Sequence, residues 1–436
     1  MRAFGWSGDN SALRKVLLPT RTKRSPATAL LIEVVLLVTA VAMGVLGAED
    51  VLEALTYAGS ITGIILLAVA VTTLVGAVAV WDHWFRNRIP YAGVIALIGT
   101  IAAFTTNVTL LLFTFKDMDR PAFRVLWCLI TAACAWASYA VWRTLAEIPA
   151  PRRVAATVIL ASAVTLANFG YDRVYQPNHQ GARPVIEVAT RTPVLTKDGT
   201  AFAVPVDIKI KNASDVGFYV LGTEFHAMGE RARISPKDRR RQQWRGDAEQ
   251  WRAFQEEAHP LSRREIQQPG ELVAAQPWMR VGNYIEAGDT FVTQTVVQLP
   301  TRTQYDKLAL YASGTFARKD RLRLDQFVLK GYSWDGKTRV ARWVQEMKQQ
   351  PTVDYVVYEG RLYEGNSIAQ HTRYPRYVHV YWQFGVHGAQ LMQTIRREGD
   401  EDRGGTSEDD ETNRRYGIVD AVTGPMERTL WDIKRQ

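Results

Sequence analysis

Residues 399–411 carry the pattern in this chain closest to a cation-ligand set. Counting Asp400 as the first position of a twelve-residue calcium loop puts Asp402 third, Gly405 sixth, Glu408 ninth and Glu411 twelfth. Oxygen donors at those positions around a sharp turn are what a hard cation such as calcium takes. Gly404 at the fifth position and Ser407 at the eighth depart from that pattern. The incoming helix would carry Leu391, Met392 and Ile395, whereas Gly417 weakens the outgoing one. The competing expectation for 396–436 is a flexible acidic segment and C-terminal tail, because acidic, apolar-poor stretches cannot bury enough surface to order themselves.

Other candidate groups are sparser. His371, His379 and His387 recur every eight residues, but a metal centre needs three or four converging ligands and no cysteine or paired carboxylate completes this set. They are expected as ordinary surface or core histidines. No Gly-rich phosphate loop, G-x-S-x-G elbow or H-E-x-x-H motif occurs, so no catalytic residue and no cofactor is assigned, and a non-enzymatic role is expected. Glu33 and Asn107 are the notable polar residues inside apolar runs. An ionisable or amide group in such a position is a functional candidate by default, although Glu33 lies close enough to the start of its run to reach water.

A basic stretch supplies one more candidate. Between 231 and 264 there are ten basic and five acidic residues. Ser235-Pro236-Lys237-Asp238 has the form of a helix start, and Trp244 and Trp251 fall on one helical face. Arg239, Arg240, Arg241, Trp244 and Trp251 could dock on an anionic membrane surface or polymer. The same tryptophans could instead pack on the body of the domain while the arginines are solvated.

The elements that must position these groups divide into two kinds. A hydrocarbon core of ~30 Å needs ~20 mostly apolar helical residues. Five segments approach or exceed this, at 27–46, 57–81, 91–115, 125–141 and 154–171, and nothing after Tyr171 does. Tyr57, Trp81, Trp84, Phe85, Tyr91, Phe115, Trp142 and Tyr171 gather at the segment ends, as interfacial aromatics do. With the basic N-terminus 1–25 in the cytoplasm, the inner loops hold eleven Lys and Arg against three outside, which satisfies the positive-inside rule. An odd number of spans then places everything after 171 outside the cytoplasm. Four spans would reverse that.

Charge and cysteine use agree with this division. Of the net +9, residues 1–170 contribute 14 basic and 9 acidic side chains and residues 171–436 contribute 39 and 35. The soluble half is almost balanced, so nucleic acid is not an expected partner. Both cysteines, Cys128 and Cys134, lie in the fourth apolar segment and read as small buried hydrophobes.

Beyond 183 the hydrophobic period changes from that of a helix to two. Phe202, Val204, Val206, Ile208 and Ile210 alternate with Ala203, Pro205, Asp207 and Lys209, as in a half-buried strand. Asn212-Ala213-Ser214-Asp215 forms a turn whose side chains bond their own backbone. Further strands are expected at 216–225, 290–299, 307–312 and 353–358, the last entering a hairpin at Glu359-Gly360. A strand at 377–384 puts Val378, Val380, Trp382 and Phe384 on one face. Many short strands with few helices between them predict an antiparallel sandwich or barrel. At the level of fold, 183–330 resembles an immunoglobulin-like β-sandwich, with the insertion 231–264 and an additional β-rich region at 331–395.

The sequence therefore predicts an α+β membrane protein: a five-helix transmembrane bundle over 26–171, then a mainly-β soluble domain with a helical insertion. The expected location is the plasma membrane, multi-pass, with the lipid bilayer as a partner. The expected role is to anchor an exported domain that binds an envelope protein, an anionic polymer or a ligand. A transporter or permease-like component with a regulatory soluble domain, and an exported hydrolase, are the alternatives.

Overall fold

The computed structural model of the chain describes residues 25–55, 57–86, 88–117, 120–144, 183–231, 245–246, 248–249, 270–335, 341–346, 354–385, 388–400 and 407–435. Contacts divide the chain into two compact units. Met1–Gln180 and Glu364–Tyr374 form one. Gly181–Tyr363 and Pro375–Gln436 form the other.

In the first unit four apolar runs are long helices: α1 (Pro26–Glu53), α2 (Tyr57–Trp81), α3 (Ala92–Asp117) and α4 (Pro121–Thr144). Each is long and apolar enough to cross a membrane. The expected fifth segment, 154–171, lies outside the described residues. Pro26 opens α1 after an extended Ser25, where a missing N–H costs nothing because the first turn has no partner for it. A short π-helix, Asp82–Arg86, continues α2. The Asp82 carboxylate closes it by accepting from the backbone N–H groups of Arg88 and Ile89, at 3.0 and 2.8 Å.

Small residues set the helix spacing. A Cβ on Gly47 of α1 would lie 2.8 Å from the carbonyl oxygen of Gly63 on α2, and a Cβ on Gly99 of α3 would lie 2.7 Å from Cα of Gly76 on α2. Both contacts are to backbone, so the helices approach closely only because these positions lack side chains.

A short helix, α6 (Ser367–Thr372), also belongs to this unit. Its N-cap Asn366 accepts from the Ala369 N–H at 2.8 Å. The Ser367 N–H donates to the Asp50 carboxylate at 2.7 Å, and its hydroxyl donates to the Leu46 carbonyl at 3.1 Å. His371 Nε2 lies 2.8 Å from Glu49 Oε2. Ile368 packs in a cluster with Met43, Leu66, Leu110 and Trp127. The C-terminal end of α1 is thus the seat of α6.

The second unit is built from three antiparallel sheets. The first contains β1 (Val185–Thr190), β2 (Val194–Leu195), β3 (Ala201–Lys211) and β7 (Thr290–Pro300), with β3 between β7 and the β1 and β2 pairings. The second has the order β14 (Ile418–Thr429), β8 (Lys307–Arg318), β4 (Phe218–Glu230), β5 (Glu271–Gln276), with β6 (Tyr284–Ile285) also paired to β4. The third has the order β10 (Val328–Tyr332), β11 (Asp354–Glu364), β12 (Arg376–Gly385), β13 (Gly388–Arg397), with β9 (Leu322–Leu324) on β11.

The period of two in β3 finds its cause in the core. Val204, Val206, Ile208 and Ile210 are fully buried and pack on Phe218, Val220 and Phe225 of β4 and on Leu310 and Phe316 of β8. Burial of each such side chain is worth about 1.5–3 kcal/mol. Strand β4 is buried on both faces, because Leu221 joins a separate cluster with Val378, Val380 and Ile395 of the third sheet. The middle sheet therefore separates two cores, and β4 and β8 are buried almost continuously along their length rather than on alternate residues.

Two expectations are corrected. Glu359-Gly360 is no hairpin turn: Gly360 sits inside β11, paired with Val378. Glycine is required there because a Cβ would meet the Phe327 ring at 2.9 Å. Within 396–436, expected as a flexible acidic segment and tail, the described residues 407–435 form α7 (Ser407–Tyr416), strand β14 and α8 (Leu430–Arg435). Tyr416 is buried, and β14 pairs with β8 through Ile418↔Ala317 to Thr429↔Lys307. The β-rich domain is consequently closed by the C-terminal strand, not bounded at 330. The last short helix, α5 (Arg342–Glu346), covers the third sheet through Val344 and Trp343 beside Tyr381.

Candidate ligand-binding cavity

Gly222 makes room for a cavity between the middle and third sheets. It follows a bulge in β4 between Val220 and Gly222, and a Cβ there would collide with Leu391 at 2.8 Å and approach Val380 at 3.1 Å. Beside it is a cavity of about 500 Å³ lined by Gly222 and Thr223 of β4, the segment Pro277-Trp278-Met279-Arg280-Val281, Phe327, Leu329, Tyr358, Val380, Trp382 and Leu391. That volume lies within the ~300–1,000 Å³ range typical of small-molecule sites.

The polar groups of the wall fall into two sets. Thr223 is fully used: its hydroxyl donates to the Met279 carbonyl at 2.9 Å and accepts from the backbone N–H groups of Trp278 and Met279, at 3.1 and 2.8 Å. The Trp278 indole N–H is shared between the carbonyls of Glu224 and Ser313, at 3.1 and 3.0 Å. These bonds fix the 277–281 segment against β4. The Trp382 indole N–H, by contrast, is buried with no hydrogen-bond partner among the described residues. Arg280 is exposed at the wall and forms no ion pair with a described acid. No acidic side chain is among the described lining residues.

Two buried polar groupings lie elsewhere in this unit. Glu224 and His226, two apart on β4, meet at 2.6 Å, and His226 stacks on Tyr311 with ring centroids 4.7 Å apart. On the other face of the third sheet, His379 is 3.2 Å from Glu359, and Arg396 pairs with Asp409 at 2.5 Å.

The residues singled out from sequence do not converge. His371 lies on α6 beside Glu49, His379 is buried in β12, and His387 is outside the described residues. Among the described residues no group of three or more His, Cys, Asp or Glu side chains could hold a metal ion. In the calcium-loop stretch, Asp400 follows β13, Glu408 and Glu411 lie on α7, and Asp402 is outside the described residues. The incoming Leu391, Met392 and Ile395 are on a strand, not a helix. The docking candidates Arg239, Arg240, Arg241, Trp244 and Trp251, and most of the insertion that carries them, also lie outside the described residues.

In the helical unit Glu33 is half-buried and makes no hydrogen bond or ion pair among the described residues. Asn107 is fully enclosed. Its amide donates to the Ala103 carbonyl at 2.8 Å and lies 3.5 Å from Thr39 Oγ1 and 3.6 Å from Cys134 Sγ. One amide thus ties α3 to α1 and α4, and Glu33 is no part of it.

No family model and no curated protein matches the chain. Among solved structures, the sporulation control protein Spo0M of Bacillus subtilis aligns over 59% of this chain and 94% of its own, at 10% identity and a TM-score of 0.18. A likeness that low carries no argument about fold or role.

Proposed function

We propose that the chain is a multi-pass plasma-membrane protein whose β-rich unit lies outside the cytoplasm and binds a ligand or partner at the cell envelope. The observation that carries this reading is the seat of α6 on α1. The segment 364–374 is continuous with β11 and β12, so those strands share the side of the membrane faced by Glu49 and Asp50. The excess of Lys and Arg before α1 and between α2 and α3 favours the opposite side as cytoplasmic. Four apolar helices packed through glycines support a bilayer as their surroundings, and two sheets facing across an apolar core support the sandwich reading of the domain. The cavity supports binding.

Less favours transport. The amide N–H groups of Asn107 are already engaged within the helices, and Glu33 has no polar partner among the described residues with which to relay a proton.

Membrane-impermeant maleimide tests the sidedness. In a Cys128→Ser background, a cysteine replacing exposed His371 is expected to be labelled on intact cells. Labelling that requires permeabilised cells would overturn the reading.

A further inference from the structure

We infer that the cavity between the middle and third sheets takes a small organic acid with a flat, apolar body, an inference that rests on the binding role proposed above. The walls state both halves of that ligand. Trp278, Phe327, Tyr358 and Trp382 offer four rings, and Met279, Val281, Leu329, Val380 and Leu391 fill the space between them. Aromatic rings of a protein and a ligand prefer offset or edge-on packing, which adds to plain area burial.

The polar side of the ligand follows from the donor inventory. Thr223 and the Trp278 indole are spent on backbone partners. What remains on the described wall is the Tyr358 hydroxyl and the exposed Arg280 guanidinium, since the Trp382 N–H is too enclosed to meet a ligand in the cavity. Both can donate, one is a permanent cation, and no described lining residue is an acid. A carboxylate or sulfonate supplies acceptors to both groups and opposes no charge. A neutral body of the same shape would satisfy the rings but leave Arg280 without a counter-charge, and an organic cation would be repelled.

The test uses the full chain in nanodiscs of neutral phosphatidylcholine, with empty discs as blanks. Calorimetric titration is made with 2-naphthoate, its neutral analogue 2-naphthamide, and acetate. Saturable binding of naphthoate is expected, with naphthamide weaker by about ten-fold or more and no heat from acetate. Arg280→Gln is expected to bring naphthoate down to the level of naphthamide without changing naphthamide. Leu329→Trp, at a half-exposed lining position, is expected to block both. Equal binding of naphthoate and naphthamide, or naphthoate binding that survives Leu329→Trp, overturns the inference. So does absence of binding by both, which leaves the labelling at position 371 as the independent measure of the anchored, outward-facing reading.

Discussion

Single residues hold the β-rich unit's turns in place. Asn212 is fully buried and makes a complete turn by itself. Its Oδ1 accepts from the Ser214 N–H and hydroxyl, and its Nδ2 donates to the carbonyls of Val216 and Glu286, at 2.8 and 2.9 Å. Asn212→Ala removes the Nδ2 and Oδ1 hydrogen bonds of this turn, leaving the Val216 carbonyl only the Ser214 hydroxyl and the Glu286 carbonyl only the Asp289 N–H, and is expected to cost about 1–3 kcal/mol, read as a lower urea midpoint in Trp fluorescence. An unchanged midpoint would contradict this account of the turn. Asp198 gives a pH prediction. The Thr196 hydroxyl, then the Thr200 hydroxyl and N–H, hold its carboxyl at about 2, down from 3.8. Because the folded value is the lower one, the stabilising contribution is fully present above pH 3.8 and is lost as pH falls toward 2. A carbon-detected titration of this exposed group should show the low midpoint, and Thr196→Val should raise it towards 3.8.

At the scale of elements, close approach is the recurring device. Gly99 lies against the backbone of Gly76, so Gly99→Val must push α3 away from α2 and should lower the thermal midpoint in nanodiscs by about 5 °C or more. Gly360 in β11 faces the Phe327 ring, which also lines the cavity. Gly360→Ala should cost about 1–3 kcal/mol and weaken cavity binding while leaving the helices intact. The docking of α6 is testable in the same way. Asp50→Ala removes the acceptor of the Ser367 N–H, and a cysteine placed at buried Ala369, in the Cys128→Ser background, should then react with maleimide about ten-fold faster or more.

These elements also mark what could be read from the sequence. The strand period of β3, the Asn212 turn and the face shared by Val378, Val380 and Trp382 were legible because each is a local pattern with one physical cause. Gly360 misled, since a Glu-Gly pair signals a turn unless a ring from another strand needs the space. Acidic composition misled over the described residues 407–435, where one buried tyrosine, Tyr416, and the pairing of β14 with β8 supply order that charge counts do not register. The cavity was not legible at all. Its lining joins Gly222, Arg280, Phe327 and Trp382, whose proximity exists only once β4 and β12 pack on each other.

For the whole molecule, sequence order and spatial grouping differ in one instructive place. Residues 364–374 lie between two strands of the β-rich unit yet group with the helices. A fragment that begins after 180 would therefore expose Ile368 and Ala369, which α1 and its neighbours bury in the intact chain. It is expected to self-associate unless this segment is replaced by a polar turn, and size-exclusion chromatography of both fragments checks that.

Sidedness governs the rest, because a ligand for the cavity must come from whichever compartment the β-rich unit faces. Reporter fusions to Gln436, one active only in the cytoplasm and one only outside it, measure this directly. Activity of the external reporter alone is the predicted result, and activity of the cytoplasmic reporter alone would contradict the account.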